Sequence, residues 1–312
     1  LKENLKSVSL SANWMWACKN EGEDARLYEA VQACSDFAIE LGINIPTGKD
    51  SLSMKQKYPN DEVIAPGTVI ISAAGNCSNI TKVVEPVLQR NGGSIYYINL
   101  SQDEFKLGGS SFAQILNKIG NNTPTIKDAA FFKKAFNTIQ DLIKDRQILA
   151  GHDIGSGGLI TTLLEMCFAD NNLGAKIDFS AFAEKDLVTI LFAENIGLVL
   201  QAKDDSTFEK ALTGIEFFKI GEVTTKATLD FGHLTFDIPT LRDIWFETSY
   251  LLDQKQSKNN KAKERFDNYK NQTLQYTFPA HFTGKKPVIS SAVERPKAAI
   301  IREKGSNSER EM

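Results

Sequence analysis

The chain has 312 residues, 42% of them hydrophobic, which is enough to bury a sizeable core in two domains. Its formal net charge of −3 lacks the basic excess typical of nucleic-acid-binding proteins. No apolar run reaches the ~18 residues of a membrane helix, and no signal-peptide pattern opens the sequence. We therefore expect a globular protein that binds neither nucleic acid nor membrane, with a cytoplasmic location as the default.

The first half of the chain predicts one helix and several extended segments. Residues 24–41 have a single apolar face, acidic residues at the start and Gly42 in position to end the helix. Residues 47–54 then predict a glycine-centred loop. Strands are expected at 69–73 and 94–100, because each follows a glycine-containing turn signal, and a domain boundary is expected between them.

The second half continues as alternating helices and strands. Helices are predicted up to about residue 119, at 129–144 and near 208–212, and strands around residues 177 and 199 and at 218–223. This alternation is typical of an α/β fold. Residues 254–272 are polar and predict an exposed connector, whereas residues 297–301 predict a new buried strand.

The segment HDIGSGGL, residues 152–159, is a glycine-rich turn between a short apolar run and a helical pattern. Free backbone N–H groups and the helix dipole at such a turn favour phosphate, and glycines let a ligand approach the backbone. Asp153 adds a hard oxygen of the kind that Mg²⁺ takes. The alternatives are a tight connection without a ligand and a purely structural role for His152.

The four cysteines are widely separated and lack the paired spacing of a zinc site, which indicates reduced thiols. With only three histidines, the sequence also excludes a histidine-rich metal centre. The second segment of chemical interest is TGKDS, residues 47–51, where Lys49 and Asp50 form a charge pair. The alternative is that Lys49 and Asp50 form only a surface ion pair in a turn.

Read together and in order, six segments resemble the large, single-chain phosphoribosylformylglycinamidine synthases, which are glutamine-dependent ligases of purine synthesis. They are LSANWMWACKNEGEDARLYEAV, IPTGKDSLSM, LGGSSFAQ, AGHDIGSGGLITTLLEMCFA, WFETSY and RPKAAIIREKGSNSEREM. The resemblance implies an α/β (α+β) fold with a partial N-terminal and a C-terminal subdomain like those of aminoimidazole ribonucleotide synthetase. Their mixed sheets would be packed by helices.

The resemblance also implies a domain layout, in which this chain is the second half of the synthase region. Residues 1–85 would be the partial N-terminal subdomain and 86–225 the C-terminal subdomain. Residues 226–294 would be a linker region, and 295–312 the first strand of a class I glutamine amidotransferase domain. The partners implied are the first synthetase half and the glutaminase domain of the same chain, and self-association is an alternative way to cover the exposed surface.

In this family, ATP with Mg²⁺ activates the formyl amide oxygen of formylglycinamide ribonucleotide, and glutamine-derived ammonia then displaces phosphate. By residue-by-residue resemblance, Gly48, Lys49 and Gly155 would contact ATP or ADP, Ser51 would bind substrate and Asp153 would bind Mg²⁺. Small-form relatives carry Asn where Lys49 stands, and a protonated lysine neutralises phosphate but does not bind Mg²⁺. Gly155 stands where relatives carry serine, so only its backbone could contact the nucleotide.

The resemblance places the Asp153 motif in an additional, non-catalytic nucleotide site, with further metal ligands upstream of this chain. We therefore expect the isolated chain to be inactive. Two alternatives stay open: a non-catalytic nucleotide-binding scaffold half, and another ATP-dependent member of the superfamily, such as a selenophosphate synthetase.

Overall fold

The computed structural model describes residues 1, 3–170, 172–271 and 277–285, which form a mixed α/β fold with two main sheets and a short hairpin. The strands in these residues are β1 (Val8–Met15), β2 (Asn44–Ser51), β3 (Lys55–Lys57), β4 (Glu62–Ile64), β5 (Thr68–Gly75), β6 (Ile95–Asn99), β7 (Ile148–Asp153), β8 (Gly174–Ile177), β9 (Gly197–Ala202), β10 (Phe218–Thr224), β11 (Thr228–Asp230) and β12 (Thr235–Asp237). The α-helices are α1 (Glu23–Leu41), α2 (Ser111–Ile115), α3 (Ala129–Lys144), α4 (Gly158–Phe168), α5 (Leu187–Phe192), α6 (Asp205–Ala211), α7 (Ile238–Gln256) and α8 (Lys261–Asn268).

The smaller sheet has the order β2-β1-β5, with β1 parallel to β2 and antiparallel to β5. Helix α1 connects β1 to β2 and ends at Gly42, whose φ of +73° is the left-handed conformation that glycine adopts without strain. The predicted helix at 24–41 is therefore confirmed to within one residue. Helix α1 also packs on α3, where the rings of Phe37 and Phe132 meet edge to face at 5.7 Å.

The predicted glycine-centred loop at 47–54 is wrong over its first five residues, because they continue strand β2. Gly48, Lys49 and Ser51 pair with Ala12, Asn13 and Met15 of β1. A Cβ on residue 48 would lie 2.2 Å from the Ala12 carbonyl oxygen, so glycine is needed for the close approach of the two strands. Strand pairing thus overrides the local turn signal.

The larger sheet has seven strands in the order β12-β11-β8-β10-β6-β9-β7. The inner strand β6, between β10 and β9, is buried on both faces. Ile95 and Tyr97 belong to a hydrophobic cluster with α4 and α5, whereas Tyr96 and Ile98 belong to a second cluster with α3 and α6. The sheet therefore lies between two helical layers, as expected for strands that read as continuous apolar runs.

The range 226–294, for which the sequence predicts a linker region, contains regular structure. Strands β11 and β12 extend the seven-stranded sheet, because Leu229 and Phe231 are buried in its core. Asp237 then caps helix α7 by accepting a hydrogen bond from the backbone N–H of Thr240. The predicted strand at 297–301 and the predicted glutaminase segment 295–312 lie outside the described residues.

Aromatic side chains are distributed unevenly between the two sheets. Rings in contact surround one face of the seven-stranded sheet, and they are Tyr97, Phe105, Phe179, Phe182, Phe218, Phe231 and Phe236. The three tryptophans lie elsewhere: Trp14 and Trp16 are in or next to β1, and Trp245 is on α7. Trp16 is only 6% exposed, in agreement with a packing role.

Asp205, the first residue of α6, makes the fold sensitive to acid. Burial alone would raise the pKa of its carboxyl, but hydrogen bonds from Lys219 and from the backbone and hydroxyl of Ser94 lower the pKa to about 2. A lowered carboxyl pKa stabilises the fold above the unfolded value of about 4, and this stabilisation is lost as the pH falls from about 4 towards 2.

We expect Asp205→Asn to reduce the free energy of unfolding by about 1 kcal/mol at neutral pH, because Lys219 is half exposed and the pair is screened by solvent. The variant should then lose less additional stability than the wild type between pH 4 and pH 2. Urea denaturation at several pH values measures this difference. An equal acid-induced loss in both proteins would contradict the role of Asp205.

Candidate functional site

Residues 154–158, here called the α4 turn, connect the edge strand β7 to helix α4, as the sequence predicts. Gly157 and Gly158 have φ values of +91° and +74°, in the left-handed region. A Cβ on Gly158 would lie 2.7 Å from the Leu191 carbonyl oxygen and 2.9 Å from that of Ala193. Both glycines are therefore required by the packing of the chain itself, without reference to a ligand.

Gly155 differs from these two glycines. A Cβ at this position would meet nothing within 4 Å, and the residue is exposed. Asp153, two residues earlier, has a side chain that is 80% exposed. A ligand can therefore reach Asp153 at the end of β7 and Gly155 in the α4 turn, which are the residues that the sequence predicts for metal and nucleotide in this segment.

His152 lies beside this stretch with both ring nitrogens engaged. Its Nδ1 is 2.8 Å from the carbonyl oxygen of Asp153, to which it can donate, and its Nε2 is 3.1 Å from Oε2 of Glu165 on α4. Thr162, which is buried, donates from its hydroxyl to the same Asp153 carbonyl at 3.1 Å. These contacts tie the end of β7 to α4 and support the structural interpretation of His152.

Glu194, in the connection between α5 and β9, reaches the α4 turn from the other side. Its Oε1 accepts hydrogen bonds from the backbone N–H groups of Gly157 and Ser111, each at 2.8 Å. Ser111 is the first residue of α2 and belongs to LGGSS, residues 107–111, here called the α2 loop. One carboxylate thus joins two of the glycine-rich motifs.

Glu194 is not among the residues that the sequence predicts for the site. The available signal was a single acidic residue in the run LFAENIG, between an apolar helix and an apolar strand. A carboxylate placed in an otherwise apolar stretch indicates a specific partner, because burial of an unpaired charge is costly.

Lys49 and Ser51 lie on one face of β2, because alternate residues of a strand point to the same side. The ammonium group of Lys49 donates to the Asp50 carbonyl oxygen and lies 3.2 Å from the Ser51 hydroxyl. Lys49 is exposed, so its ammonium group can also reach an external anion. The structure thus brings two predicted site residues together, whereas no hydrogen bond or ion pair connects either of them to Asp153 or Gly155.

A divalent cation needs more ligands than this region supplies. In the described part of the chain, no group of three or more His, Cys, Asp or Glu side chains is placed to hold a metal ion. Asp153 offers one carboxylate, and His152 is engaged by Glu165. The residues described therefore do not complete a Mg²⁺ site by themselves.

The buried Cys167 offers no reactive thiolate. Burial raises the pKa of the Cys167 thiol to about 12, so that it stays protonated. All four cysteines are free thiols, in agreement with the sequence. Among the helices that the structure describes, none is long and apolar enough to cross a membrane.

Two family models match the chain: the FGAR-AT PurM_N-like domain over residues 2–76, and the C-terminal domain of AIR synthase related proteins over residues 91–232. Solved structures of Thermotoga maritima PurL share the fold. The form complexed with FGAR has a TM-score of 0.53 at 14% identity, covering 75% of this chain and 39% of that one. The form complexed with ATP has a TM-score of 0.51 at 13% identity, covering 77% and 39%. The predicted α/β fold with synthetase-like domains is confirmed.

Curated relatives match the chain from end to end. The probable phosphoribosylformylglycinamidine synthase, chloroplastic/mitochondrial, of Arabidopsis thaliana is 37% identical, with 99% of this chain and 23% of the relative covered. Phosphoribosylformylglycinamidine synthase of Homo sapiens is 35% identical, with 100% and 24% covered. As the ordered motifs predict, the chain matches a part of the phosphoribosylformylglycinamidine synthases along its whole length, and it spans about a quarter of the length of these curated relatives.

Proposed function

We propose that this chain is the second half of the synthase region of an enzyme that converts formylglycinamide ribonucleotide to formylglycinamidine ribonucleotide, using ATP and glutamine. The observation that carries the proposal is the end-to-end match to synthases at 35–37% identity. An exposed Asp153–Gly155 stretch at the start of a helix supports a nucleotide role for this half.

In this proposal the α4 turn binds the phosphates of ATP or ADP. The backbone at Gly155 approaches the phosphates, because no side chain stands between it and solvent. Asp153 contributes one oxygen ligand to Mg²⁺, and the remaining ligands come from the nucleotide and from other parts of the protein. We assign this site a structural role, in line with the resemblance.

Strand β2 serves the reacting substrates in this proposal. Lys49 neutralises phosphate charge, Ser51 hydrogen-bonds the substrate, and Gly48 keeps the strand close enough to β1 to hold both in position. In the proposed reaction, ATP supplies the phosphoryl group on the amide oxygen and glutamine supplies the ammonia nucleophile. The contribution of the β2 residues is therefore to bind and orient the substrates and to stabilise charge.

The three-stranded sheet is the surface through which we propose that the chain contacts the first synthetase half. Val69, Ile70 and Ile71 on the edge strand β5 are 40–52% exposed, although they are large and apolar. An exposed apolar edge strand normally has a partner. A second copy of this chain is the alternative occupant of this surface.

The glutaminase domain is the proposed source of ammonia. The cytoplasm is the proposed location of the protein.

A non-catalytic nucleotide-binding scaffold is the second candidate, because the α4 turn is accessible while its metal ligands are incomplete. Product formation with ATP, Mg²⁺ and glutamine separates the candidates when the full-length protein is compared with the 312-residue chain. Activity in the full-length protein alone supports the ligase proposal. Absence of activity in a folded full-length protein that still binds nucleotide favours the scaffold.

We expect Lys49→Ala and Ser51→Ala to reduce kcat/KM of the full-length enzyme about 10- to 100-fold each, because each removes a hydrogen bond to a charged or reacting group. Lys57→Ala is the matched control, since Lys57 is also an exposed strand lysine but lies on the hairpin strand β3. Steady-state kinetics measure the effect. Wild-type values in both site variants would remove strand β2 from the substrate site.

A further inference from the structure

The contacts of Glu194 suggest more than local capping, because they join segments far apart in the sequence. Gly157 is the N-cap of α4, and Ser111 begins α2. Both backbone N–H groups are unpaired within their own helices and point to the same carboxylate oxygen. The negative charge of Glu194 is thus placed at the positive ends of two helices.

The backbone before Glu194 is held just as firmly. Gly158 lies against residues 191–193 so closely that an added Cβ would come within 2.7–2.9 Å of three of their backbone atoms. The α4 turn is therefore closely packed against this segment, and the hydrogen bond that the Gly157 N–H group donates to Glu194 holds it there.

Asn195, which follows Glu194, binds the segment that precedes the α2 loop. Asn195 is only 1% exposed. Its amide nitrogen donates to the Glu104 carbonyl at 2.9 Å, and its side-chain oxygen accepts from the Lys106 backbone N–H at 3.3 Å. The pair Glu194-Asn195 thus fixes the approach to the α2 loop, the start of α2 and the start of α4.

The same geometry restricts where a phosphate can bind. The Gly157 N–H group is one of the donors that an anion at the start of α4 would use, but it is already bound to Glu194. A phosphate is left with the exposed side of the turn, at Asp153 and Gly155.

We propose that Glu194 is a positioning residue for the nucleotide site: by holding Gly157 and Ser111 on one oxygen, it fixes the α4 turn relative to the α2 loop and presents Asp153 and Gly155 in one geometry. The inference rests on the proposed nucleotide role of the α4 turn. Glu194 acts on the nucleotide indirectly, through the backbone N–H groups of Gly157 and Ser111 that it binds.

The test uses Glu194→Ala and Glu194→Gln in the full-length protein. Because both hydrogen bonds go to Oε1, the amide oxygen of glutamine can accept them, whereas alanine cannot. Glu216→Gln is the control, since Glu216 is exposed and accepts a hydrogen bond from the amide of Gln102 at 3.3 Å. Melting temperatures define a working temperature at which every variant is folded.

The first readout is hydrogen exchange of peptides that cover residues 105–113 and 153–160, without nucleotide. We expect exchange in both peptides to rise together in Glu194→Ala and to stay near wild type in Glu194→Gln. A rise in only one peptide, or in neither, would overturn the coupling of the two segments. This readout does not depend on nucleotide binding, so it is informative even if the proposed function fails.

The second readout is the affinity for ADP in the presence of Mg²⁺. We expect Glu194→Ala to weaken binding at least tenfold and Glu194→Gln to restore it to within about threefold of wild type. Unchanged affinity in folded Glu194→Ala would mean that the residue is only structural, and tighter binding in Glu194→Gln would mean that the carboxylate repels phosphate. Either result overturns the proposal, whereas a wild-type protein that binds no ADP removes the nucleotide role of the α4 turn itself.

Discussion

Replacing Gly158 by alanine is expected to lower the free energy of unfolding by about 2 to 5 kcal/mol. Two costs add: an L-residue is strained at a φ of +74°, and its Cβ would lie 2.7 Å from the Leu191 carbonyl oxygen. Backbone atoms provide the contact, so no side-chain rotation relieves it. Urea denaturation measures the change, and α4 should be the first element to lose protection from hydrogen exchange.

Gly155→Ala is the matched control in the same turn. A Cβ at position 155 meets nothing within 4 Å, and φ there is not in the positive region. We expect the stability of this variant to lie within about 0.5 kcal/mol of the wild type. A Gly158→Ala variant that is no less stable than Gly155→Ala would show that the α4 turn can absorb a methyl group at either position.

Asp103→Ala is the second substitution with a large expected effect, about 3 to 5 kcal/mol of lost stability. The Asp103 side chain is 4% exposed and accepts hydrogen bonds from Lys106 Nζ at 2.7 Å and from the Thr125 backbone N–H at 3.0 Å. Burial works to raise the pKa of this carboxyl, but these bonds outweigh it and lower the pKa. Alanine leaves the largely buried Lys106 ammonium without its partner, which is the costly way to break a buried pair.

The matched control is Asp267→Ala on helix α8, which removes an exposed ion pair with Lys263 at 2.8 Å. Exposed pairs spaced by four residues contribute only about 0.3–0.5 kcal/mol. Thermal or urea denaturation of the two variants compares a buried carboxylate with an exposed one. A loss below about 1 kcal/mol for Asp103→Ala would mean that Lys106 finds another partner or water.

Local signals predicted those elements whose stability is local. Helix α3 was predicted at its observed bounds, because its apolar residues recur at helical spacing and Asp128 caps its start by accepting from the Phe131 N–H. Residues 47–51 of strand β2 were predicted as a loop, because the cause of their structure, pairing with β1, lies more than thirty residues away in the sequence. The same reason accounts for β11 and β12, which are three residues long and are strands because β11 pairs with β8 and β12 pairs with β11.

The candidate site divides in the same way. The strand-turn-helix geometry around Asp153 and Gly155 follows from residues that are adjacent in the chain, and a sequence pattern can indicate it. The hydrogen bonds of Glu194 to Gly157 and Ser111 span 37 and 83 residues. No spacing rule predicts such contacts, so the structure was needed to find this residue.

The uneven distribution of aromatic side chains provides two separate optical reports on unfolding. Tryptophan fluorescence of a Trp245→Phe variant follows the three-stranded sheet, since Trp14 and Trp16 lie in or next to β1, whereas Trp245 on α7 contacts Phe168 of α4 and would report on the seven-stranded sheet. Near-ultraviolet circular dichroism of the Tyr97 and Phe ring cluster follows the seven-stranded sheet. Coincident transitions would identify one cooperative unit, and separate transitions would resolve two, without any label being introduced.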